Sequence, residues 1–227
     1  MTVSVIVPVL GEGQEINALL GHLRHIAQGA PYEVIVVDGA PEGSTIRWIE
    51  DPEVKTLVAS PGRASQMNAG AALARGQALL FLHADTRLPP RAFELIAKAL
   101  REQPAGAFSL ELESPSPMVR FIAFTARLRV ALGGAPYGDQ ALFLRRDFFF
   151  RLGGYPEIPL MEDVALVKLI RRSGAGMKVL AQRVRSSARR YHTQGVLRTT
   201  FKNKLIRALY ALGVSPQRLW RLYYGRR

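Results

Sequence analysis

The apolar run Ala78-Leu-Leu-Phe-Leu82 leads straight into His83-Ala84-Asp85-Thr86. An apolar run that short reads as a strand buried on both faces. A carboxylate at its carboxyl end stands where open α/β sheets bind ligands. An oxygen donor there suits a hard divalent cation, Mg²⁺ or Mn²⁺, holding a diphosphate. The plainer alternative is that Asp85 caps the next helix. Two more acids end or follow apolar strands: Glu12, five residues after Val7, and Asp38, directly after Val37. Acids so placed bind ribose hydroxyls, a base N–H or a cation. Three along successive strand–helix units form a constellation, where one would be commonplace.

Other groups are candidates for the rest of the chemistry. Glu162-Asp163 stands at a helix start after Pro159-Leu-Met161. The helix dipole stabilises an acid there by ~0.3–1 kcal/mol, so capping alone accounts for one. The Gly/Pro-rich loop before the pair also suits holding it at the mouth of a cleft, where a carboxylate can deprotonate a hydroxyl. Arg63-Ala-Ser-Gln66-Met-Asn68 either offers Arg63 and Asn68 to a nucleotide or diphosphate, or is an ordinary polar helix start. Arg189-Arg190-Tyr191-His192 follows a late strand. Guanidinium groups bind diphosphate oxygens bidentately. His192 is a candidate metal ligand or proton donor, with a structural role as its alternative. A dinucleotide site is disfavoured, because Gly11-x-Gly13 is followed at the third position by Ile16 rather than glycine.

The elements that must position these groups are legible in outline. Strands are expected at Val3–Val7, Glu33–Val37, Val54–Val58 and Ala78–Leu82, and helices over about 14–27, 45–50, 65–74 and from Pro89 to about Arg101. This alternation implies a mostly parallel, doubly wound sheet with helices on both faces. After residue 104, Phe108, Leu110 and Leu112 alternate with Ser109, Glu111 and Glu113, as in a half-exposed strand. A basic amphipathic helix is expected over Met118–Leu132, a strand at Gln140–Leu144 and helices at 147–152 and 162–172. Short strands near 177–180 and 184–188 follow, then two closing helices at about 197–212 and 216–224. No linker separates independent domains. The chain reads as one domain, 1–227, with a nucleotide-binding half at 1–104, a half at 105–195 that completes the site and basic helices at 196–227.

Of the 227 residues 48% are apolar and none is cysteine, so disulfides and thiolate metal sites are excluded. No apolar run approaches the roughly 20 residues that span a bilayer. The first residues lack a basic region and a cleavage site, so no signal peptide is expected. The net charge of +13 is unevenly placed: residues 164–227 hold 16 of the 31 Lys and Arg and none of the 18 Asp and Glu. That segment suits phosphates, nucleic acid or an anionic membrane.

In order and spacing these motifs resemble glycosyltransferase family 2, with its Rossmann-like GT-A fold, over nearly the whole chain. Pro8-Val9-Leu-Gly-Glu12 resembles the family's first turn, and Asp38 its base-binding acid. Arg63 through Asn68, including Gln66, resembles the nucleotide-contacting helix start. His83-Ala84-Asp85 occupies the metal-binding DxD position, and Glu162-Asp163 the pair whose second acid is the base. Gly138-Asp139-Gln140 and Ile158 through Asp163 further resemble a small bacterial subgroup without a firm acceptor assignment. The sequence departs at Gly11, where many members have Asn, at Gly39, where many have a second Asp, and at His83, which replaces the first acid of DxD.

The resemblance implies an inverting, metal-dependent transferase that moves a sugar from a UDP- or GDP-sugar to a hydroxyl acceptor. Asp38 and Glu12 would seat base and ribose, Asp85 would hold the cation, Arg189 or Arg190 would face the diphosphate, and Asp163 would take the acceptor's proton. Gly138, Asp139 and Gln140 would lie on the acceptor side. The basic helices favour a cytoplasmic protein, peripheral on a membrane that presents the acceptor, without transmembrane helices and without nucleic acid as partner. A nucleotide-sugar pyrophosphorylase would want a basic, Gly-rich loop after the first strand, and Leu10-Gly-Glu-Gly-Gln14 has no basic residue. A nucleic-acid-binding module, suggested by a pI near 10.7, lacks a recognisable motif.

Overall fold

The computed structural model describes residues 1–225, so Arg226 and Arg227 of the basic tail lie outside the described residues. Eight strands form one sheet, ordered β3-β2-β1-β4-β7-β6-β8-β5. The first four are β1 (Val3–Val9), β2 (Tyr32–Asp38), β3 (Lys55–Val58) and β4 (Ala78–Phe81), paired in parallel. Short β5 (Thr86–Arg87) pairs antiparallel with long β8 (Met177–Ser187) at the far edge. Between them, β6 (Ala105–Glu113) runs parallel to β8, and β7 (Phe143–Arg145) is antiparallel to both β4 and β6.

Each face of the sheet is buried under its own helices. Val3, Val5, Val7 and Val9 point to one core layer with α1 (Gly13–Ala27), α3 (Ala92–Glu102) and α4 (Pro117–Ala131). Ile6, Ile35 and Val37 point to the other, under α2 (Arg63–Leu73), α5 (Arg146–Arg151) and α6 (Glu162–Arg172). The period-two alternation of strand side chains produces this division. Short α7 (Arg189–Gln194), then α8 (Val196–Ala211) and α9 (Pro216–Tyr224), close the chain.

Where elements differ from the sequence reading, local hydrogen bonding explains most of it. The first strand runs on through Pro8 to Val9. Val9 O accepts Gly39 N on the β2 side, so Pro8 N faces β4, whose pairing has already ended at Phe81 opposite Ile6. No ladder bond is lost to the missing N–H. The helix expected at 45–50 is a single 3-10 turn, Ile46–Trp48: Asp38 accepts the amides at its start, and it stops where Ile49 is extended and Asn17 donates to Trp48 O and accepts Glu50 N. The helix expected from Pro89 begins at Ala92, after Arg91 in a left-handed conformation. The strand expected at 140–144 starts at Phe143, after a 3-10 turn at Gly138–Gln140. The two short strands expected near 180 are one, β8, with an irregularity opposite Phe108/Ser109. β5 and α7 were not foreseen.

Candidate active site

The chain runs outward from β1 to β2 and β3, then returns to place β4 on the other side of β1. That reversal opens a crevice at the carboxyl ends of β1 and β4, the favoured ligand position in open α/β sheets. Glu12 and Asp85 stand at the two lips. They lie close enough for the Asp85 charge, after burial, to raise the Glu12 pKa. Asp85 does not cap a helix: β5 follows it, and α3 is preceded by Arg91. Among the described residues its one side-chain partner is Thr86 Oγ1 at 3.4 Å, which leaves most of the carboxylate's hydrogen-bonding capacity unused. Arg63, exposed at the start of α2, acts electrostatically on Glu12, His83, Asp139 and Glu162, so it stands at the centre of the charged groups.

The second half of the site is built by the 138–140 turn and the start of α6. Asp163 Oδ2 accepts Gly138 N at 2.7 Å, and Oδ1 accepts Val164 N. Met161, the residue before the helix, has φ 71. A non-glycine residue held there costs of order 1–3 kcal/mol, a strain that Gln28, Arg91 and Ala141 share elsewhere in the fold. A Cβ on Gly138 would lie 3.4 Å from Asp163 Oδ2 and 3.7 Å from His83 Nε2, so His83 and Asp163 flank the same backbone position. Burial, then the charges of Arg63 and Arg190, push the His83 pKa well down. His83 is therefore a neutral imidazole at neutral pH. Burial and the neighbouring Asp163 raise the Glu162 pKa.

Several expected contact residues are instead internal braces. Asp38 is fully buried, and its oxygens accept the amides of Ala40, Thr45 and Ile46. With those bonds in place it shapes the 40–46 loop rather than presenting a free carboxylate to a base. That loop in turn holds the β1 turn, since Ser44 Oγ and Thr45 Oγ1 accept Gly11 N and Glu12 N. Gln66 is buried and donates to both Val9 O and Val37 O, tying β1 to β2. It also explains Gly39: a Cβ there would come within 3.1 Å of the Gln66 amide, which occupies the space a second Asp would need. Asn68 exchanges two hydrogen bonds with the Tyr155 backbone. Gln140 is buried, with its amide donating to Phe108 O. Pro8 and Val9 are buried strand residues, and Ala84 is buried with its carbonyl taken by Arg87.

The two adjacent arginines separate. Arg189 pairs with Glu15 at 2.6 Å, beside the start of α1. Arg190 donates to Tyr223 Oη and is the one whose charge reaches His83. His192, the candidate metal ligand or proton donor, is exposed and bonded to Ser114 Oγ at 3.2 Å. Among the described residues no three His, Asp or Glu assemble into a metal cage. The donor set at the crevice is Asp85, with Glu12 near. That set fits Mg²⁺ or Mn²⁺ bound mainly through substrate phosphates and water, where one or two carboxylates suffice.

Sequence reasoning missed a cationic wall on the Asp139 side. Arg129 of α4 stacks on the Tyr137 ring at 3.9 Å, and Arg207 of α8 lies 5.0 Å from the same ring. A basic and an aromatic residue 70 positions apart carry no pairing signal in one sequence. Asp139 Oδ1 is buried without a partner. Burial and the charge of Asp163 push its pKa up to about 6 from an ordinary 3.8. A carboxylate raised in the fold stabilises below its unfolded pKa, and that contribution is lost as pH rises through the folded value. Asp139→Asn is therefore expected to raise the melting temperature near pH 7.5, with the gain shrinking toward about pH 4. A gain independent of pH in thermal denaturation would show that ionisation of Asp139 is not the cause.

The profile of glycosyl transferase family 2 matches residues 4–176. No curated protein matches the sequence significantly. Among solved structures, S. aureus TarS 1-349 in complex with UDP-GlcNAc aligns with TM-score 0.60 and 19% identity, over 82% of this chain and 58% of that one. The same fragment with UDP aligns with TM-score 0.61 and 19% identity, over 83% and 61%. A further crystal structure of TarS 1-349 aligns with TM-score 0.62 and 17% identity, over 98% and 69%. The chain thus spans less than two thirds of the first two TarS structures. The likeness establishes the GT-A fold. With the family profile covering most of its length, the chain belongs to glycosyl transferase family 2.

Proposed function

We propose that the chain transfers a sugar, with inversion, from a UDP- or GDP-sugar to a hydroxyl acceptor. The observation that carries this reading is Asp163, fixed by Gly138 N across from His83, which itself lies two residues before Asp85, whose oxygens are largely free. The UDP-GlcNAc and UDP carried by the TarS structures agree with such a donor. Asp163 takes the proton of the acceptor hydroxyl as its oxygen attacks the anomeric carbon. The bond from that carbon to the diphosphate breaks, and the nucleoside diphosphate leaves. A divalent cation on Asp85 would stabilise the charge of the leaving diphosphate. Arg63 and Arg190 add positive charge on the same side, and the 40–46 loop shaped by Asp38 forms a wall for the nucleoside. The acceptor is membrane-presented, at the cytoplasmic face, a reading supported by the acid-free basic segment from residue 164 onward.

The test is a thermal-shift panel of nucleoside diphosphates and nucleotide sugars, with and without Mn²⁺. Ligand at about 100 times its Kd stabilises by roughly 2.7 kcal/mol, so the preferred base should stand out. That shift should be larger with Mn²⁺ than without. Absence of stabilisation by every member of the panel would sink the proposal.

A further inference from the structure

We infer that α4 and α8 form a docking surface for an anionic lipid bilayer, with headgroup phosphates received by an arginine cleft beside α4. The inference rests on, and deepens, the reading of a membrane-presented acceptor.

The apolar stripes of these helices could equally have packed against the sheet. The structure divides them. Val119, Ile122, Ala123 and Ala126 of α4 pack inward. Met118, Phe121, Phe124, Leu128 and the following Leu132 face out, Phe121 being 63% and Leu132 78% exposed. Their spacing of three and four residues makes one continuous stripe. On α8, Ile206 is buried while Leu197, Phe201, Leu205 and Leu212 are exposed, Phe201 at 69% and Leu212 at 81%. The two helices touch each other. Large apolar side chains exposed in rows mark an interaction surface rather than ordinary surface scatter.

Charge selects the occupant. Neither helix contains an acid, while Arg120, Arg127, Arg129, Arg198, Lys202, Lys204 and Arg207 lie along them. A second copy of the chain would bring two such basic faces together. An anionic bilayer complements both the charge and the apolar stripes, as for basic amphipathic helices that lie in the interface plane. Beside α4, a cleft of about 380 Å³ is lined by Arg120, Arg127, Arg183 and Arg185, against Glu111 and Glu113. Among the described residues only Arg185 is paired with an acid there, to Glu111 at 3.7 Å, so the cleft carries unneutralised guanidinium suited to phosphate oxygens. Among the described residues no helix is long and apolar enough to cross a membrane. The same two helices supply Arg129 and Arg207 to Tyr137, next to the turn that holds Asp163. An acceptor in the docked bilayer would therefore meet the catalytic carboxylate without leaving the lipid surface.

The test is co-sedimentation of the full chain with phosphatidylglycerol and with phosphatidylcholine vesicles at low salt. Binding should favour phosphatidylglycerol at least about tenfold. Phe121→Ser/Phe201→Ser and, separately, Arg120→Glu/Arg183→Glu should each reduce it at least about tenfold, since both the apolar and electrostatic parts contribute. These residues are exposed, so both variants should keep the wild-type melting temperature and its shift with nucleotide. Absence of vesicle binding, or binding indifferent to both variants, overturns the inference. So does a dimer in gel filtration that the Phe variant dissolves while vesicles capture nothing. A nucleotide-induced shift without vesicle binding sinks the docking surface alone. Vesicle binding without a nucleotide response upholds the surface and sinks the donor reading.

Discussion

Asp163→Asn is expected to lower sugar transfer by ~10²–10⁴-fold, the usual contribution of a positioned general base. The amide keeps one oxygen, which can accept Gly138 N and preserve the 138–140 turn while the bond from Val164 N is given up. What is lost is the ability to take a proton at neutral pH. Nucleotide-sugar affinity, read by thermal shift or calorimetry, should remain within about twofold, because this role acts on the transition state and not on donor binding. Turnover equal to wild type would remove Asp163 from the reaction. A loss of donor affinity matching the loss of rate would make it a binding residue instead.

Asp85→Asn should act at the other end of the transferred bond. A cation that stabilises the leaving diphosphate is worth several kcal/mol, so transfer should fall on the order of 10³-fold. Chelation of the wild-type enzyme should produce a comparable loss. Chelation of the variant should then add little, since both treatments remove one contribution. A variant that keeps the full Mn²⁺-dependent shift on nucleotide binding would place the cation on other ligands. Because Glu12 is held up in pKa partly by the Asp85 charge, the same substitution should also let the Glu12 pKa fall toward its ordinary value.

Most of the fold was legible because its signals are local and periodic. The four parallel strands of the first half, α1, α2 and α6 follow from apolar runs and helical spacing. The parts missed depend on contacts between distant segments. β5 is two residues long and exists through pairing with β8. The turn at 46–48 is short because the side chain of residue 17 bonds its last carbonyl and the Glu50 amide beyond it. In the site, the acids at strand ends were legible, and the fold brings Glu12, Asp85, Arg63, His83 and the 138–139 turn around Glu162 and Asp163. Polar side chains beside them were harder to read. Gln66 and Asn68 have the composition of ligand contacts, yet both are spent on the backbone of other elements. A sequence shows that a polar group is present, not which partner satisfies it. The sequence likewise could not show that His192 meets Ser114 and Arg189 meets Glu15.

The charge of Arg63 reaches Glu12, His83, Asp139 and Glu162. Groups that share one cation and repel one another cannot release protons independently. A pH–rate profile will report apparent constants that belong to the assembly. Replacing Arg63 should therefore move several titrations together: the acids lose the charge that lowers them, and His83 loses one that lowers it too. One guanidinium at the start of α2 thus couples proton uptake at four groups whose shifts burial dominates.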